Sequence, residues 1–201
     1  MLALLEKSKL GSTGDKPSNP SDKDVQFDFE AYFLGHTRAS GWFSDRFGKP
    51  KRHFCGDFFG FRNDGQFVLD EKLFYSDGIV EYRQWSINVT DNGIFSAQSE
   101  SLINGAHGFI DGNRLSMSYS MKVKIEENKV WDLDMKDLMI LQPDGSLHNI
   151  THVSKWGLRI GTVSTQYLQH DGEKLCVDDS SFGSRTKSTE PSVRHLSSVT
   201  S

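Results

Sequence analysis

The run LDEKLFYSDGIVEYRQW (69–85) constrains the fold more than any other stretch. It is two alternating segments joined by Ser76-Asp77-Gly78, a three-residue loop closing on glycine, which supplies the positive φ such loops need. That register sets Tyr75 opposite Ile79, Leu73 opposite Glu81, Glu71 opposite Arg83, Leu69 opposite Trp85 and Phe67 opposite Ile87. Side chains alternate along a strand, so all of these share one face. The other face carries Val68, Asp70, Lys72, Tyr82, Gln84 and Ser86 and is mostly polar. A hairpin of this kind must bury its apolar face in a β core. That face nevertheless holds an acid opposite a base.

The same device recurs at Asn63-Asp64-Gly65 and Asp91-Asn92-Gly93. Read as three-residue turns, they place Asp57 opposite Glu71 and Ser101 opposite Arg83, a lateral row of Asp57, Glu71, Arg83 and Ser101 on the inner face. The glycine-rich segment 104–112 predicts a bend or break in the sheet. Residues 115–125 then alternate, with Met117, Tyr119, Met121 and Val123 on one face. Trp131, Leu133, Met135, Asp137 and Met139 continue it after a turn, and Pro143-Asp144-Gly145 sets Met139 opposite Asn149 and Asp137 opposite Thr151. A slip of one residue near Met139 would turn this second polar set to solvent. The apolar stretch 27–34 predicts a short helix lidding one end, stopped by Gly35.

Nine short strands in sequential hairpins give an all-β antiparallel meander. A meander this long closes into an up-and-down barrel of 8–10 strands, because closure removes exposed edges. A sandwich with a solid core is the alternative. The domain runs over 25–168, between a polar leader (1–24) and a Ser/Thr-rich tail (169–201), both expected to be disordered. A net charge of −4 with no basic excess argues against a nucleic-acid partner, and no apolar run is long enough to be a transmembrane segment. Cys55 and Cys176 are far apart, the second in the polar tail, so no disulfide is expected. No metal spacing, phosphate loop or nucleophile elbow occurs, so no cofactor is expected. Without a signal peptide, the sequence as it stands reads as cytoplasmic.

FDFEAYFLGHTRASGWFSDRFGKP (27–50), LDEKLFYSDG (69–78), RQW (83–85) and SKWGLRIG (154–161) resemble the bacterial family DUF3833, in order and over roughly 25–168. The resemblance implies a lipocalin-like layout and a lipid-related setting, with many members carrying a lipoprotein signal, which hints at the cell envelope. The chain departs from that pattern in having no lipobox cysteine, and in showing Lys136-Asp137-Leu138 where the family tends to show Asp-Asp-Trp.

The function expected from these features is non-catalytic binding of an apolar or lipid-like small molecule inside the barrel. Asp57, Glu71, Arg83, Trp85, Tyr119, Trp131, Asp137 and Asn149 are the candidate ligand-binding residues. Trp85, Tyr119 and Trp131 would line an apolar cavity, and the ionisable groups would meet a polar end. Two other readings stay open. One is a lipid- or isoprenoid-modifying enzyme using buried carboxylates as acid and base. The other is a structural protein in which the charged row only fixes strand register. The sequence sets no oligomeric state.

Overall fold

The computed structural model describes residues 25–126, 129–170 and Cys176. The expected disordered leader lies outside the described residues, as does the tail except for Gln169, His170 and Cys176. A short helix α1 (Phe29–Phe33) precedes ten antiparallel strands: β1 (Gly35–Asp45), β2 (Pro50–Asn63), β3 (Gln66–Tyr75), β4 (Val80–Val89), β5 (Ile94–Gln98), β6 (Leu102–Asp111), β7 (Arg114–Glu126), β8 (Lys129–Leu141), β9 (Leu147–Lys155) and β10 (Leu158–Gln169). Each strand pairs with its sequence neighbours, and β1 closes on β10 with Phe43 opposite Val163. The meander is therefore a closed, lipocalin-like up-and-down barrel rather than a sandwich.

The tenth strand is β6, in the segment whose glycines suggested a break. Gly105 takes a positive φ of 78° and forms an irregularity between Leu102 and Ala106, after which pairing to β7 resumes. Glycine bends this strand without ending it.

The 69–85 hairpin pairs as read, with Glu71 opposite Arg83 and Leu69 opposite Trp85. The turn before it differs. Asn63 pairs with Gln66, so Asp64-Gly65 is a two-residue loop, and both residues have positive φ (49° and 83°). Asp-Gly suits such a turn as well as it suits the end of a three-residue one. The change shifts β2 by one residue and reverses its faces. Phe58, not Asp57, lies opposite Glu71, and Phe54 and Phe58 turn inward.

Helix α1 closes one end. Asp28 caps it by accepting from the Ala31 N–H at 3.0 Å, and Phe29, Tyr32 and Phe33 are buried. Phe29 meets Phe95 edge-on at 5.2 Å, and Phe33 meets Tyr167 at 5.5 Å. Gly60 of β2 lies directly beneath the helix, where a Cβ would come within 1.9 Å of the Phe33 carbonyl oxygen. Only glycine lets the helix backbone sit this close to the sheet.

Cys55 and Cys176 are joined by a disulfide, with Cα atoms 5.7 Å apart. This corrects the expectation of no disulfide. Cys55 faces outward on β2, and Cys176 packs against it, Phe74 and Val80 on the outside of the barrel. A pair separated by 121 residues leaves no spacing signal, because the fold alone brings it together.

Candidate functional site

The barrel encloses a cavity of about 540 Å³. It runs from Phe29 and Phe33 beneath the helix to Lys51, Arg52, Asp77 and Lys124 at the opposite end. Phe54, Leu69, Met117 and Met139 are among the apolar groups along its wall. Glu71, Arg83, Trp85, Tyr119, Trp131, Asp137 and Asn149 all line it. Asp57 does not. It lies on the outer side of β2, where both carboxylate oxygens accept the Cys176 N–H, at 3.0 and 3.1 Å. Ser101 also leaves the expected row, because β5 ends at Gln98 and a turn closes from Ser99 to Leu102.

Two polar sets face the lumen. The first centres on Arg83, whose guanidinium lies 2.5 Å from Glu81 and 3.5 Å from Glu71. The remaining acceptors are taken up locally. Trp85 Nε1–H donates to Glu71 at 2.8 Å, and the Tyr75 hydroxyl donates to Glu81 at 3.2 Å. Burial works against the Arg83 charge, but Glu71, Tyr75 and Glu81 outweigh it and hold its pKa above the ordinary arginine value. Burial likewise raises the Tyr75 phenol. Glu81 and Tyr75 share the inner face by alternation, so their signal was present in the sequence. Cross-strand register alone does not reveal them, whereas a long arginine also reaches the residue two positions along its own strand.

The second set is on β7, β8 and β9. The Asp137 carboxylate accepts from the Tyr119 hydroxyl at 3.2 Å and from Asn149 Nδ2 at 3.3 Å. Asn149 Nδ2 also donates to Thr151 Oγ1 at 3.3 Å. Asp137 Oδ1 and Asn149 Oδ1 are buried and have no hydrogen-bond partner among the described residues. Burial pushes the Asp137 pKa up to about 6, against the opposing effect of the nearby Thr151, Asn149 and Tyr119 groups. Burial also holds the Tyr119 phenol well above its usual value. Trp85 and Tyr119 meet edge-on at 5.8 Å and join the two sets across the lumen.

The raised Asp137 pKa makes stability pH-dependent. Between the ordinary carboxyl pKa and about 6 the folded state holds a proton that the unfolded chain has lost, so stability falls as pH rises through that window. The fall should amount to roughly 3 kcal/mol, and Asp137→Asn should abolish it and stabilise the protein at neutral pH by about 1–3 kcal/mol. Urea unfolding from pH 4 to 7 measures this, and an unchanged slope in the variant would show that Asp137 is not the group responsible.

The family described as "Protein of unknown function (DUF3833)" matches residues 9–168. The chain belongs to the DUF3833 family. Its match begins within the expected leader, ahead of the described barrel. No curated protein matches this DUF3833 chain. Among solved structures it is similar to the S-type phycobiliprotein lyase CPES from Guillardia theta, at 4% identity and a TM-score of 0.53, covering 72% of this chain and 92% of that one. At that identity the likeness is one of fold.

Proposed function

We propose that this DUF3833 protein binds an apolar, lipid-like small molecule in the barrel lumen, without catalysis. The supporting observation is the cavity itself. Its 540 Å³ falls within the range of roughly 300–1,000 Å³ common to small-molecule sites, and its wall is aromatic and aliphatic with few polar groups. The two polar sets differ in kind. Arg83, Glu71 and Glu81 satisfy one another, which suits a network that fixes strand register. Asp137 Oδ1 and Asn149 Oδ1 are left without partners, and a buried acceptor without a donor is costly. They suit a ligand whose polar end carries a hydroxyl and whose apolar body lies along the apolar wall of the lumen.

An enzymatic use of the same lumen is the second reading. The observation favouring it is Asp137, a buried carboxyl titrating near 6 beside the field of Glu71. The structural neighbour is also named as a lyase. The pairing of Asp57 with Glu71 is no part of it, since Asp57 lies outside. The Cys55–Cys176 disulfide supports an oxidising compartment over the cytoplasm.

Titration with an apolar fluorophore tests the first reading. Emission should rise to saturation, and Met139→Trp, which fills the lumen from β8, should weaken binding by about tenfold or more. Native protein and the Met139→Trp variant binding alike would place the probe outside the barrel and defeat the proposal.

A further inference from the structure

The end of the barrel opposite the helix carries a surface that the lumen does not explain. In barrel order the β1–β2 tip, the β9–β10 tip and the paired ends of β8 and β7 follow one another along this rim. Phe47 is 80% exposed, Trp156 87% and Leu158 71%, with Val130 of β8 also exposed. A contact joins the β9–β10 tip to the start of β8, and another lies within the β1–β2 tip. Lys155 Nζ lies 3.5 Å from the centre of the Trp131 ring, and Arg46 lies over Phe47 at 4.7 Å. Residues 42–52, 122–132 and 153–160 hold nine Lys and Arg against four Asp and Glu, in a chain whose net charge is −4, and of the nine Lys51 pairs with Asp45 and Arg52 with Asp77 of the β3–β4 tip. Basic charge is thus concentrated where the large apolar side chains are exposed.

Trp156 adds an independent observation. With Gly157 it forms the two-residue β9–β10 turn, at φ 51° and 77°. A left-handed backbone is unfavourable for a bulky side chain, and Asn, Asp or Gly is the ordinary choice there. Trp156 accepts that strain while burying almost nothing in the fold. Its printed contact in the barrel is with its own neighbour, Lys155 Nζ at 4.6 Å from the ring centre, and the rest of the ring faces outward.

We propose that this rim docks on an anionic lipid bilayer, with Phe47, Trp156 and Leu158 entering the interface and the surrounding lysines and arginines meeting the headgroups. Aromatic and aliphatic side chains ringed by cations suit that boundary, where apolar burial and attraction to anionic lipid act together. Among the described residues no helix is long and apolar enough to cross a membrane, so such contact would be made by the hairpin tips. The cavity reaches the same rim through Lys51, Arg52 and Lys124, so docking would bring its mouth to the lipid. The inference goes beyond lumen binding and does not require it.

Co-sedimentation of the full chain with vesicles tests this. The protein should pellet with phosphatidylcholine–phosphatidylglycerol vesicles, be released by salt, and remain in solution with phosphatidylcholine alone. Trp156→Asn should weaken pelleting by about tenfold while melting no lower than the parent, because it relieves the turn. Lys124→Glu should weaken it by on the order of tenfold or more at low salt. Failure to pellet with anionic vesicles, or undiminished pelleting of both variants, would overturn the proposal. So would rim-dependent self-association without vesicle binding, which would make the occupant a second copy of the chain.

Discussion

Arg83→Met should destabilise the barrel by about 3–5 kcal/mol, because it leaves the buried Glu71 carboxylate and the partly buried Glu81 carboxylate without their cation. Neither carboxylate can reach water freely, since their side chains are only 10% and 18% exposed. Trp85 and Tyr75 each give one neutral hydrogen bond, which does not replace an ionic partner. Replacing all three charged groups, as Arg83→Met with Glu71→Gln and Glu81→Gln, should recover most of the loss, because no uncompensated charge then remains. Urea denaturation separates these outcomes. A single-variant loss below about 1 kcal/mol would mean that the pairs behave as exposed ones.

Removing the Cys55–Cys176 link should have an effect of similar size. Closing a loop of this length restricts the unfolded chain, and its loss should cost about 3–5 kcal/mol. For a domain of this size that lowers the melting temperature by on the order of 10 °C. Reductant should lower the melting point of the native protein and leave that of Cys176→Ser unchanged. Asp57 gives a useful contrast. It accepts the Cys176 N–H outside the barrel, so Asp57→Asn should cost about 1 kcal/mol and leave ligand binding intact. A native melting point indifferent to reductant would contradict the stabilising role of the link.

Much of the architecture was legible because alternation and turn chemistry are local. The Ser76-Asp77-Gly78 and Pro143-Asp144-Gly145 turns fixed their registers, and Glu71–Arg83 and Met139–Asn149 pair as read. Asn63-Asp64-Gly65 looked the same and was not. Three- and two-residue closures share the Asp-Gly signature, and the choice was decided by packing beyond the turn. The shorter loop puts Phe54 and Phe58 inside and Gly60 beneath α1. The longer one would have buried Asp57 beside Glu71. The disulfide was illegible for a different reason, since nothing near Cys176 in sequence shows that the chain returns to β2. The Arg83–Glu81 contact runs along one strand, where alternation places both side chains on the inner face but cross-strand register does not pair them.

The proposed lumen ligand can be looked for directly. The most direct measurement is mass spectrometry of an organic extract of the purified full-length protein, beside a Met139→Trp preparation made in the same way. The native protein should yield an apolar, hydroxyl-bearing molecule in roughly stoichiometric amount, and the variant should be depleted of it. A native protein that yields nothing above background, and whose lumen proves filled by its own side chains, would contradict the proposal.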